Sequence, residues 1–131
     1  IAASIGGTPV VDLLTIGLYL IACFVAWGLH ELAHYSVHRI HADTVTLGFN
    51  RWGPYTDSVY SRGAPTYAIR LGSIAPTLIY SPIVIGSIGL YLLSYPVPQF
   101  DLVEWSFVLT PLAILIVPTA ADLRSCLYAH R

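Results

Sequence analysis

His30, Glu31 and His34 fall in the run His30-Glu31-Leu32-Ala33-His34, an H-E-x-x-H pattern. On a helix, residues four apart lie about 40° apart around the axis and one turn apart along it, so both imidazoles can reach one ion. Glu31 is about 100° from His30. It can bond a water on that ion without ligating it. Zinc suits such a set: imidazole and carboxylate ligands, four-coordinate, with one position left for water. A zinc ion lowers the pKa of its water toward 7, and the carboxylate takes the proton as the oxygen attacks a carbonyl. At this composition roughly 0.003 chance matches to the pattern are expected, so it is a specific signal.

Two histidines leave a catalytic zinc short of its usual three protein ligands. The chain has seven carboxylates from which to supply another. Asp12, Asp101 and Glu104 belong to the opposite side of the spans described below. Asp43 and Asp57 lie in a polar connection. Asp122 ends the third span on the same side as the histidine pair. Pro118, four residues before it, removes the hydrogen bond to the Ile114 carbonyl and loosens the helix, which lets the carboxylate turn inward. The plain alternative is a helix-end aspartate paired with Arg124. His38 and His41 continue the stripe at about 80° and 20° on the same wheel, but about 12 and 16 Å along the axis from His30, too far to share its ion. They are expected as interface residues, or as groups that support or gate the site. A stripe of histidines is also similar to the His boxes of membrane di-iron oxidases. Those sites draw on more histidines than the five here, and the fifth, His130, stands apart from the others.

The elements that must position these residues are apolar. Of 131 residues 10% are charged, against about a quarter in an average soluble domain. Apolar and aromatic types make up 56%, and the mean hydropathy is +0.70. So few charges cannot solvate the large relative surface of a small soluble domain, and disorder is excluded by the same numbers. The net charge of −1 excludes a basic nucleic-acid binder. Cys23 and Cys126 have neither metal nor redox spacing. Three stretches lack charge: Leu13 to His30, Leu71 to Phe100, and Trp105 to Ala121. Each is long enough to cross a bilayer as a helix, and Pro96 and Pro98 should end the second near Tyr95. The reading is a single membrane-embedded domain over 1–131, all-α. Its transmembrane helices cover about 10–35, 68–95 and 104–124, and a polar loop covers 42–67. Thr44 to Leu47 and Phe49 to Trp52 have strand character, with Gly53-Pro54 as the turn signal, so the loop is expected to hold a short β-hairpin near the inner interface.

All six cations are arginines. Arg39, Arg51, Arg62 and Arg70 lie between spans one and two, and Arg124 and Arg131 follow span three. The opposite side has none. This places the N-terminus outside and the C-terminus in the cytoplasm. The first span has no basic leader and runs directly into the histidine motif, so it is not read as a cleaved signal peptide. The chain begins at Ile1, so residues upstream are expected.

These residues resemble the site-2 protease family of intramembrane zinc metalloproteases, and in particular its small zincin-like relatives. The likeness covers most of the chain: H-E-x-x-H at the end of one span, a polar loop, Ala75-Pro76 entering a second, and Pro118-Thr119-Ala120-Ala121-Asp122 in the third. It implies a three-helix membrane core with a small β element beside it. It implies one zinc per chain held by His30, His34 and Asp122, with Glu31 as the base. The family's aspartate is usually followed by Gly, whereas Leu123 follows here. The family's oxyanion-stabilising Asn has no counterpart, because the single Asn is Asn50 in the polar loop. The expected function is a membrane-embedded zinc endopeptidase acting on a membrane-associated protein or peptide, in the cell membrane of a prokaryote. Residues 44–52 are candidates for an edge strand that holds an unwound substrate. The competing expectations are a non-proteolytic His-rich membrane metalloenzyme of the di-iron oxidase kind, or an inactive membrane scaffold.

Overall fold

The computed structural model describes residues 2–5 and 8–129, with the backbone alone for those before Asp12. His130 and Arg131, used above in the histidine and arginine counts, lie outside the described residues. The chain is mostly helical, with two small antiparallel hairpins. The first hairpin pairs β1 (Ala2–Ile5) with β2 (Thr8–Val11). The first helix therefore begins later than the expected residue 10. Asp12 caps it by accepting a hydrogen bond from the Thr15 N–H at 2.7 Å.

That helix, α1 (Leu13–His41), continues six residues past the expected end at 35. Its 29 residues make a rod about 43 Å long. The motif and all of His30, His34, His38 and His41 thus share one continuous helix. The chain then doubles back into β3 (Thr44–Asn50) and β4 (Gly53–Val59), paired from Thr44↔Val59 to Asn50↔Gly53. The turn is Arg51-Trp52, two residues earlier than expected, and Gly53-Pro54 opens the second strand. Two local features set this register. The Asn50 Oδ1 accepts the Trp52 N–H at 2.8 Å. Gly53 adopts φ 124°, and a Cβ there would strike the Trp27 ring. The hairpin lies back along α1, with Phe49 against Phe24 (ring centroids 5.7 Å apart), so its tip reaches well up the apolar part of that helix.

The expected second span divides in two. A short helix α2 (Thr66–Ser73) is separated by Ile74 from α3 (Ala75–Ser94). Pro76, which has no N–H to return to Gly72, explains the break. The Pro96 and Pro98 stop falls where expected, with α3 ending at Ser94. The third span also divides. Helix α4 (Leu102–Ile116) starts with a reciprocal capping box between Asp101 and Glu104. The chain breaks over 117–119 at Pro118, and α5 (Ala120–Leu127) starts with a second capping box between Thr119 and Asp122. Asp122 is thus in the first turn of a new helix rather than at the end of an old one.

Among the described residues three segments are long and apolar enough to cross a membrane: Leu13–His41, Ala75–Ser94, and Leu102–Leu127 taken through its break. Helix α1 is central and touches α2, α3, α4 and both strands of the second hairpin. The interior is small and unusually polar. Ala26, Ala33, Ala68, Ala75 and Pro76 are buried together with Thr15, His30, His34, His38 and Ser73. Large apolar side chains point outward along every long helix, and α4 buries none of its residues. Small residues at the contacts let the helix backbones approach closely.

Candidate metal centre

His30 and His34 sit one turn apart on α1, both buried, with the Asp122 carboxylate of α5 facing them. The His30 Nε2 is 3.2 Å from the His34 Nε2. It is 3.4 Å from the Asp122 Oδ2, and the His34 Nε2 is 3.2 Å from the Asp122 Oδ1. The other face of each ring is fixed by the backbone. His30 Nδ1 lies 3.1 Å from the Leu115 carbonyl oxygen, and His34 Nδ1 lies 2.7 Å from that of Gly72. A carbonyl only accepts, so each Nδ1 carries the proton and donates. Each Nε2 is then a bare lone pair.

Two lone pairs and a carboxylate directed at one another repel unless a cation lies between them. The spacing suits one. A tetrahedral ion with ligand bonds of about 2.0–2.1 Å has ligand–ligand edges of roughly 3.3 Å, and the three separations here are 3.2 to 3.4 Å. Among the described residues His30, His34 and Asp122 form a group that can hold a metal ion.

The helix breaks create this geometry. Gly72 is freed to accept from His34 because the residue four further on is Pro76, which has no N–H. Leu115 is freed because its helical partner, the Thr119 N–H, donates instead to the Asp122 Oδ2 at 2.7 Å. Asp122 is therefore held by the capping box while its carboxylate faces the histidines. Within the ion pairs of the described residues Asp122 goes to His30 and His34, not to Arg124.

Glu31 is half-buried beside this group, and no described residue bonds or pairs with its carboxylate. Its backbone is pinned: Thr56 Oγ1 of β4 donates to the Glu31 carbonyl at 2.8 Å. Tyr80 of α3 likewise donates to the Leu29 carbonyl at 2.8 Å. Two cavities meet at Glu31 and Thr119. One, about 440 Å³, is polar and is walled by β4 from Tyr55 to Ser58, with His34, His38, Tyr60 and Asp122. The other, about 580 Å³, is apolar and opens between Trp27 and the α4 end at Ala113, Ile114 and Val117.

His38 and His41 part company. His38 is buried, its ring stacked on His34 (centroids 6.2 Å apart) and its Nδ1 2.5 Å from the Tyr60 hydroxyl. His41 is exposed, its ring edge-on to Tyr67, and it does not reach either cavity. Three turns along the helix carry it past the site, in keeping with the interface-residue alternative. The edge-strand expectation also shifts: β4, not residues 44–52, walls the polar cavity. Asp57 lies in that wall outside the metal-binding group, and Asp43 is in neither cavity.

Sequence reasoning missed Gly72, Leu115, Thr119 and Tyr60. For the Gly72 carbonyl a partial signal existed, since Pro76, four residues on, has no N–H to give it, but nothing pointed to His34 as its new donor. Leu115 and Thr119 carried none, because Pro118 removes the donor of Ile114 instead. Tyr60 carried none. Comparison with known protein families, with characterised proteins and with solved structures finds no match to this chain.

Proposed function

We propose that this chain is a membrane-embedded zinc endopeptidase. One observation carries the reading: both Nδ1 atoms are committed to backbone carbonyls, leaving two Nε2 lone pairs and the Asp122 carboxylate at tetrahedral spacing next to an unbonded Glu31. Imidazole donors with one carboxylate favour zinc over calcium or magnesium, which take oxygen ligands. A zinc ion held there supplies Lewis acidity and brings a water within reach of deprotonation at neutral pH. Glu31 takes that proton as the oxygen adds to the peptide carbonyl, then returns it to the departing nitrogen. The pinned carbonyls of Leu29 and Glu31 hold α1 still at the motif.

The two cavities fit a peptide laid across Glu31. Apolar side chains enter between Trp27 and Val117, and polar backbone lies along β4, whose outer edge has no strand paired to it among the described residues. The outward apolar surface of α1, α3 and α4 supports insertion in a bilayer, with the arginine-bearing 39–70 region and α5 on the cytoplasmic side. A di-iron site lacks support, because neither His38 nor His41 joins the metal-binding group. The test is metal content and turnover of the purified chain. One zinc per chain with cleavage of a peptide substrate that Glu31→Gln abolishes supports the reading. Two irons, or no turnover at full zinc, refutes it.

A further inference from the structure

We propose that the Tyr60 hydroxyl is the donor that stabilises the oxyanion in peptide hydrolysis, and that His38 positions it; this rests on the endopeptidase reading above. Acyl transfer needs a fixed donor aimed at the oxygen where charge develops. Asn50 is spent on the Trp52 N–H at the hairpin tip. The polar cavity offers several hydroxyls, and two have already committed their O–H. Thr56 donates to the Glu31 carbonyl, and Ser73 to that of Ile69. Thr119 Oγ1 accepts from the Asp122 N–H as the cap of α5, which leaves its own O–H free, but it too is an aliphatic alcohol. The Tyr55 ring lies over Gly48. Ser58 and Ser125 have no partner to fix them in any of the bonds described, and an aliphatic alcohol is a weaker donor than a phenol.

Tyr60 is held from behind. Its hydroxyl is 2.5 Å from the His38 Nδ1, and the rings meet edge-on with centroids 5.6 Å apart. His38 in turn is clamped between His34 and the backbone of Gly72, where a Cβ would collide with the imidazole. Metal ligand, His38 and Tyr60 therefore form a continuous row along one cavity wall. In the Nδ1–H tautomer His38 donates to the phenol oxygen, which leaves the phenol O–H free for a substrate. Burial pushes the Tyr60 phenol above its ordinary range, so it keeps its proton at working pH. As the water oxygen adds to the carbonyl carbon, its proton passes to Glu31 and the C=O π pair moves onto oxygen. That oxygen takes the Tyr60 hydrogen bond. When the pair returns, the C–N bond breaks and the nitrogen takes the proton from Glu31.

The test uses the full chain in detergent micelles, loaded with zinc. The probes are a fluorescence-quenched peptide with adjoining apolar and polar halves, and a phosphinate analogue of it that mimics the tetrahedral intermediate. Tyr60→Phe should retain one zinc, leave KM within about twofold, and lower kcat roughly 100- to 1,000-fold. It should also weaken phosphinate binding by a similar factor. His38→Ala should follow Tyr60→Phe, and His38→Asn, whose amide can donate from nearly the same point, should restore most of kcat. A Tyr60→Phe protein with full zinc and kcat within threefold of wild type overturns the proposal. So does loss through zinc content or KM alone, which marks a structural role. Equal phosphinate affinity in both proteins overturns it even without turnover. A zinc-loaded wild type that neither cleaves the peptide nor binds the phosphinate instead refutes the endopeptidase reading itself, and this proposal with it.

Discussion

Glu31 and Asp122 are both carboxylates beside the same two histidines, yet their surroundings differ. Glu31 has a bonded backbone and an unbonded side chain; Asp122 has its oxygens directed at both Nε2 atoms. Glu31→Gln should therefore lower turnover at least about 100-fold, the usual scale for loss of a general base, while bound zinc stays at one per chain. Asp122→Ala should lower zinc occupancy and turnover together, read by metal analysis after dialysis against a weak chelator. All three ligands must be deprotonated to bind, so protons compete with the ion. Occupancy should therefore fall as pH is lowered, not as it is raised. At this scale the H-E-x-x-H residues were legible because their geometry is local to one helix. Asp122 was legible only through depth, by matching the ends of two spans. Gly72 and Tyr60 were not, because their contacts join residues 38 and 22 positions apart, and no periodicity reports such pairings.

The interrupted helices carry the site, and they were legible in part. Pro118 was readable as a disruption, whereas Pro76 was read only as the entry to the second span. Each in fact divides a span, and the freed carbonyls then orient the two imidazoles that face Asp122. The hairpin was readable as strands, but its turn was misplaced because Gly-Pro is a strong turn signal and the Asn50 side-chain bond is invisible to composition. The N-terminal hairpin had no signal, since its apolar residues merged with the span that follows. Two substitutions test the elements. Thr119→Val removes the hydroxyl that caps α5 and should cost about 1 kcal/mol of stability. It should also weaken zinc roughly 10- to 100-fold by releasing Asp122, the usual scale for losing a group that orients a ligand, whereas Thr119→Ser should retain both. Gly72→Ala forces a methyl into the His38 ring and displaces the carbonyl that orients His34. Zinc affinity measured by competition with a chromophoric chelator should fall by a similar factor.

For the molecule as a whole, composition was enough to expect helices apolar and long enough to cross a membrane, and the fold has them. Charges at 10% and an outward-facing apolar surface are two views of one fact. The proposed orientation is checked by single cysteines in a background free of Cys23 and Cys126. An impermeant thiol reagent added outside intact cells should label Gln99→Cys, in the connection before α4, and spare Gly63→Cys, in the exposed connection before α2. Labelling in the opposite pattern inverts the topology. The distance in sequence between His30 and Asp122, 92 residues, has a consequence for biosynthesis. On the membrane-embedded reading, the first span would enter the bilayer with both imidazoles and Glu31 but without the carboxylate that faces them. It acquires that group only after the last apolar segment has been synthesised and has turned back at Pro118. On the proposed reading, a nascent or truncated chain lacks the third ligand, so activity would wait until the whole chain has been made.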